Sequence, residues 1–447
     1  MSDLLDIASR VAGWATDGEQ VEAFVVHQRE TEVRAYEGEI ESLTSAESQG
    51  IGVRVIADGR QGYAYAGTLD GDAAQETLRE ARDNAAFAES DEFNGVAEPD
   101  GVAPADLQLY REELVSYATG DKVALAIELE RATRAADSRI AGIESAEYID
   151  TLYESAVATS TGIASVTRET GCYLATYALA EADGETQTGF GFSIGREPGE
   201  LDPSAAANDA AERATRLLGA TKPATQRLTV VLDPWVSAQL LGIIGHTLTG
   251  EAVLKGRSLF ADRLGEEVAV DTITLIDDAT NPAAFTASMA DGEGLAIRGT
   301  PLISDGVLTG FLHNSYSGRR SGTASTGSAV RAGFKSAPSV GAHALALNPG
   351  DRSQTDLIAD IGEGFLVQGV AGLHSGVNPV SGDFSTGAEG LRIRDGELAE
   401  PIREVTIAST LQRLLQDVVA IGNDTEWLPM NAAGVTLVVA DVTMSGT

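Results

Sequence analysis

The sequence predicts an α+β fold: an N-terminal α/β region with a possible duplicated unit of helix, four strands and helix, followed by a C-terminal antiparallel, barrel-like β domain. Three observations predict it. Helical and alternating apolar patterns succeed one another twice in the same order over residues 3–220. From residue 226 onward, short apolar segments recur between glycine turns. No apolar run approaches the ~20 residues of a membrane span, and the 43% hydrophobic content of this 447-residue chain suits substantial cores.

Leu4, Ala8, Val11 and Ala12 share one face of a helix over 3–14, with Ser2 as its candidate N-cap. Four strand-like segments follow, VEAFVVHQ, TEVRAYEGEIESLTS, GIGVRVIA and QGYAYAG, the last two joined by the hairpin signal DGR. DGDAAQETLREARDNAAFA is a helix opened by aspartate. The order returns between Asp121 and Ala220, with helices at DKVALAIELERATRAA and SAAANDAAERATRLLG around strands such as ASVTRETGCYLATYALA and ETQTGFGFSIG. EFNGVAEPDGVAPADLQLY, between the units, is acidic, proline-bearing and aperiodic, hence a linker. The expected division is 1–95, a linker 96–120, a second unit 121–220 and a β domain 225–447. In that domain SDGV and RDGEL are Asp-Gly hairpin turns. One helix interrupts its strands: Asp233 caps, Pro234 takes the first helical position, and WVSAQLLGIIGH runs to His246.

Acidic residues number 67 against 31 basic, a formal charge of -36, and the only lysines are Lys122, Lys222, Lys255 and Lys335. Such a surface stays hydrated where ions screen its self-repulsion, which indicates adaptation to a salt-rich cytoplasm. The same field repels phosphate backbones, and no Lys/Arg cluster offers a local footprint, so nucleic-acid binding is not expected. Acidic residues occupy MSDLLDIASRVAGW, where a signal peptide needs a basic start, so a cytoplasmic location away from membranes is expected. Cys172, the single cysteine, permits no intrachain disulfide and reads as buried filler in its apolar setting.

His246 raises a metal question. Zinc-hydrolase helices of the standard kind hold the metal through two histidines and take a proton with a glutamate directly after the first. Here the five histidines are followed by Gln28, Thr247, Asn314, Ala344 and Ser375, which excludes that motif. A lone histidine at a helix end is more often a cap or a satisfied polar residue than a ligand. His313, His374 and Glu251 complete an unorthodox site with it only if the fold brings them together.

The run GLHSGVNPVSGDFSTGAEG, with IREVTIASTL, IGNDTE, YEGEIESLTSAESQGIGVRVI and LISDGVLTGFLHNSYSGRRSG, resembles the TldD/PmbA family through nearly the whole chain. In that family TldD-type chains carry His-Glu-x-x-x-His on a helix and a cysteine near the C-terminus as zinc ligands, and act as a peptidase with a TldE (PmbA)-type chain. The resemblance sets Leu241 at the first histidine, Gly242 at the glutamate and His246 at the second histidine, a residual metal-site position; TEWLPMNAAGVTLVV has no cysteine. It implies no catalytic residue and no metal in this chain, zinc in a TldD-like catalytic partner, and a TldE-type role in proteolysis of small or unfolded polypeptides. Gyrase-modulator labels in the family would then reflect indirect effects. The resemblance also makes Asn378, Pro379, Ser381, Gly382, Asp383 and Phe384 peptide-groove candidates. Glycines there let an extended peptide approach the backbone, and Asp383 can orient the loop by accepting backbone hydrogen bonds. A tight structural loop with an Asx turn is the plainer alternative. Two other functions stay open: an autonomous metallohydrolase with a rearranged site using His246, Glu251, His313 or His374, and a non-catalytic peptide-binding homodimer.

Overall fold

The computed structural model describes residues 3–447, so the expected cap Ser2 lies outside them. Helix α1 (Asp3–Ala12), strands β1 (Glu19–Tyr36), β2 (Glu39–Ala57) and β3 (Arg60–Ala66) and helix α2 (Gly71–Phe87) form the first unit. Helix α3 (Thr119–Ala136), strands β4 (Ile140–Thr159), β5 (Ala164–Ala182) and β6 (Glu185–Gly195) and helix α4 (Pro203–Arg216) repeat the order. Each unit holds three strands where four were expected. VEAFVVHQ runs unbroken into TEVRAY, and the real turn is Glu37-Gly38, with φ of 53° and 78°. Two consecutive positive φ angles give the hairpin turn that matches strand twist. Between the units, segment 96–120 contains one short helix, Glu112–Val115, and is seated by buried Val96, Ala97 and Leu109.

All six strands join one sheet in the order β3-β2-β1-β4-β5-β6. The second unit thus mirrors the first about the antiparallel β1–β4 pair, which runs from Glu22 opposite Thr159 to Ala35 opposite Ala146. Strand alternation decides what each face does. On β6, a Cβ added at Gly189 or Gly191 would lie 2.1 Å or 2.0 Å from the carbonyl oxygens of Ala210 and Ala206, so only glycine admits α4. The period of two then sends Phe190 and Phe192 to the opposite face, where Phe192 packs against the β domain. The sheet curves into a half-barrel.

In the C-terminal region β7 (Gln226–Leu232), β8 (Glu363–Ala371), β9 (Asp383–Arg394), β10 (Glu397–Thr410) and β11 (Leu437–Ser445) close a five-stranded barrel in the order β10-β9-β8-β7-β11, with β11 returning to β10. The barrel-like expectation holds, with one correction: β7 and β8 are parallel, Gly364 lying opposite Thr229. Parallel neighbours need a long crossover, which residues 233–362 supply. That crossover carries helix α5 (Pro234–Thr247), whose Val236, Leu240, Leu241 and Ile244 share one buried core with Phe365, Val367, Leu437 and Val439 of the barrel. Sheet and β domain are joined by a sealed ionic network. Arg54 Nη2 lies 2.6 Å from Glu22 Oε2 and 3.1 Å from Glu293 Oε1, and Arg331 pairs with the other Glu22 oxygen.

Candidate functional site

Helix α5 starts as its sequence requires, the Asp233 carboxylate accepting the Trp235 N–H at 3.1 Å with Pro234 in the first turn. Its inner side disappears into the barrel: Leu241 is fully buried among apolar side chains. Gly242 is half-buried, and Gly245 presses onto the strand Leu345–Leu347, where an added Cβ would fall 2.2 Å from Leu345 Cδ1. His246, by contrast, is exposed, and its carbonyl accepts the Thr249 hydroxyl at 3.0 Å. Positions 241 and 246 therefore face a dry apolar core and solvent respectively.

The other metal candidates do not join them. Glu251 pairs with Lys255 one turn along its own helix. His313 is buried against Gly250, its Nδ1 3.2 Å from Ser317 Oγ, and burial holds its pKa below the usual histidine value. His374 is exposed on the helical turn Leu373–Gly376. Among the described residues no three His, Cys, Asp or Glu side chains gather to hold an ion. Catalytic zinc takes about three protein ligands; Leu241 and Gly242 have none to give, so the residues present do not fit it. Cys172 is fully buried beside Leu174 and Tyr148, and burial pushes its thiol up to about 12, far from a reactive thiolate.

The glycine-rich loop joins β8 to β9. Asn378 Oδ1 accepts the N–H groups of Val380 at 2.9 Å and Ser381 at 3.2 Å, while its backbone N–H donates to the Asp383 carbonyl at 2.8 Å. Asn378 thus organises the loop as an Asx turn. The expectation for Asp383 is corrected: its carboxylate accepts the Ser381 hydroxyl at 2.8 Å, a side-chain and not a backbone donor. Gly382 has φ of 84°, and a Cβ there would meet Gln412 Oε1 at 2.0 Å. Phe384 is buried in the barrel core and anchors the hairpin, whereas Asn378, Pro379, Ser381 and Asp383 are exposed.

Three adjoining cavities follow the inner face of the sheet. The first, of about 420 Å³, lies between Phe190, Arg213 and Arg216 on one side and Gln368–Ala371 on the other. This part of β8 has passed the end of its pairing with β7 at Val367 and has no strand partner on that side among the described residues. The second cavity, of about 510 Å³, shares Phe190 and is lined by Tyr153, Tyr173, Phe192, Phe285 and Glu169. The third, of about 330 Å³, shares Tyr153 and Glu169 and adds Thr286, Ser288 and His343. Phe190 and Phe192 pack at a tilt against Trp235 at the start of α5, with ring centroids 5.6 and 5.5 Å from it, which fixes the sheet against the β domain. An unpaired strand segment beside an aromatic wall suits an extended polypeptide, through main-chain hydrogen bonds and apolar side-chain contact. None of these cleft residues was singled out from sequence. Alternating Gly-Phe-Gly-Phe over 189–192 was the available signal, with glycine toward the helix and phenylalanine toward the cleft.

Known proteins match this chain across its length. Residues 21–85, 112–218 and 225–446 match models of domain 1, the central domain and the C-terminal domain of PmbA/TldA metallopeptidases. The metalloprotease PmbA of Escherichia coli O157:H7 is 27% identical over 429 residues, covering 95% of this chain and 92% of that protein. A metalloprotease TldD homolog of Haemophilus influenzae is 24% identical over 389 residues, 85% of this chain and 80% of the other. The crystal structure of TldE from Thermococcus kodakarensis has a TM-score of 0.90 at 24% identity, over 99% of this chain and 100% of that one, a likeness of fold. The names of these relatives suggest a metal in the family.

Proposed function

This chain belongs to the PmbA/TldD family of metallopeptidase-like proteins, and from that premise we propose that it is a TldE/PmbA-like, metal-free subunit of a two-chain cytoplasmic peptidase. A TldD-like partner brings zinc and the general base; this chain completes the chamber and holds small or unfolded polypeptide substrates in its cleft. One observation carries the reading. At the positions where the resemblance sets the catalytic histidine and glutamate, Leu241 is sealed in the barrel core and Gly242 lies against Asn431. Neither can bind a metal or take a proton. The acidic surface adds a salt-rich cytoplasm as the setting in which the complex is stable.

The test is a pull-down of this chain from its native cell at molar salt, followed by metal analysis of each recovered component. A copurifying TldD-like chain that holds the zinc is expected. Recovery of this chain alone, as a homodimer without zinc, would favour the peptide-binding scaffold. Stoichiometric zinc on this chain would favour the autonomous hydrolase.

A further inference from the structure

Glu169 stands on β5 opposite Tyr153 of β4, at the seam between the aromatic cleft and the smaller polar cavity. A carboxylate removed from water is ordinarily paired, because its lost hydration must be replaced. One oxygen of Glu169 lacks that replacement: Oε1 is shielded from solvent and has no hydrogen-bond partner among the described residues. Burial raises its pKa above the ordinary carboxylate value, with Ser288 and Arg196 opposing. The Arg196 guanidinium spends its donors elsewhere, on the carbonyl oxygens of Thr170, Ala284 and Phe285 at 3.3, 3.2 and 3.1 Å. Two further orphaned atoms belong to residues of the same wall, Thr286 Oγ1 and His343 Nε2. The remaining charged groups there are already engaged. Asp291 accepts the N–H groups of Glu293, Leu295 and Ala329, and Arg331 holds Glu22 and the carbonyls of Gly292 and Ser336.

Three residues that line one cavity, each with an unpartnered polar atom, describe a ligand by its chemistry. Glu169 Oε1 accepts, and the Thr286 hydroxyl accepts through a lone pair. His343, kept neutral by burial, accepts at Nε2 in the tautomer protonated on Nδ1. A primary ammonium carries three N–H donors and one positive charge, which suits acceptors of this kind and neutralises the carboxylate. The rings of Tyr153, Tyr173 and Phe285 on the adjoining wall favour a cation and the apolar chain behind it. An anionic ligand is repelled by the Glu169 carboxylate, and a neutral donor leaves its charge without a counter-charge. We propose that this cavity binds a primary ammonium group of a polypeptide, the N-terminal α-ammonium or a lysine side chain, with the neighbouring residues lying in the aromatic cleft. The proposal deepens the reading of this chain as the polypeptide-holding subunit and rests on it for the choice of ligand.

Calorimetric titration of the isolated full chain in molar potassium chloride tests it with three probes: Ala-Phe-Ala amide, its N-acetylated form, and N-acetyl-Lys-Phe-Ala amide. At least one amine-bearing probe should bind about tenfold or more tightly than the acetylated lysine-free probe, the size expected of a charge-assisted hydrogen-bonded contact. Which one does so identifies the source of the ammonium. Glu169→Gln should abolish the preference while leaving the thermal midpoint unchanged or higher, since an unmet buried charge is relieved. A merely structural Glu169 would lower the midpoint on substitution. Thr286→Val should weaken the preference in the same direction. Equal binding of all three probes, no binding of any, or an unchanged preference in Glu169→Gln overturns the proposal. No partner chain takes part, so failure here leaves the two-chain peptidase standing, and failure of that complex to form leaves this result intact.

Discussion

Gly382 shows how one missing side chain sets a backbone path. The Asn378 turn delivers the chain to position 382 with φ of 84°, which L side chains resist, and Gln412 occupies the space a Cβ would need. The two causes separate by substitution. Gly382→Ala should cost about 1 kcal/mol or more in unfolding free energy from the backbone alone, and adding Gln412→Ala should clear the space without recovering that part. Urea denaturation of the single and double variants measures it; full recovery in the double variant would make crowding the cause. If the loop also serves the peptidase chamber, Gly382→Ala lowers the activity of the assembled complex by more than the loss of folded protein explains. Leu241 and His246 teach the same lesson in side-chain terms. Five residues apart on one helix, they face a dry core and solvent, so the histidine has no partner across the turn.

The strand Leu275–Asp277 and the segment before Leu345–Leu347 form an element whose electrostatics can be read through pH. The Asp277 carboxylate accepts the N–H groups of His343 at 2.9 Å and Ala344 at 2.6 Å. Burial, with Asp278 adding repulsion, raises this carboxyl from 3.8 to about 6, and burial lowers His343 from 6.5 to about 4. The signs oppose. The raised acid contributes stability that is present below its unfolded value and is lost as pH rises through about 6. The depressed histidine contributes stability that is present above 6.5 and is lost as pH falls through about 4. Relative to the parent protein, Asp277→Asn should therefore tilt stability upward with rising pH between these values, and His343→Gln should tilt it downward. Unfolding midpoints collected across that window check both slopes; three parallel curves would contradict them.

Legibility at this scale followed how local each cause is. The Asp58-Gly59, Asp305-Gly306 and Asp395-Gly396 hairpins and the Asp233-Pro234 helix start were readable, because neighbouring residues decide them. The four-strand count failed because the Glu37-Gly38 turn sits inside an uninterrupted strand-like run. The parallel β7–β8 pair was invisible, since its partners are brought together by a crossover spanning residues 233–362. Glu169, Thr286 and His343 line one cavity for the same tertiary reason, which is why no spacing announced them.

At the scale of the whole molecule, a formal charge of -36 acts against the compact state. The Glu22, Arg54, Glu293 and Arg331 network at the junction is sealed from solvent and therefore little screened, so added salt acts mainly on the surface. The thermal midpoint should rise from ~0.1 M to molar chloride as repulsion over the Debye length is suppressed; a flat or falling midpoint would contradict a salt-adapted surface. In the proposed complex the chemistry belongs to a partner and the chamber to both chains. The most direct measurement is zinc per chain after dialysis against a weak chelator, together with peptide hydrolysis by this chain, by a TldD-like chain and by the mixture. Negligible zinc and no hydrolysis are expected here alone, with activity in the mixture, and activity within a small factor of the parent when this chain carries His246→Ala. Near one zinc per chain in this protein alone, with hydrolysis that His246→Ala abolishes, would contradict it.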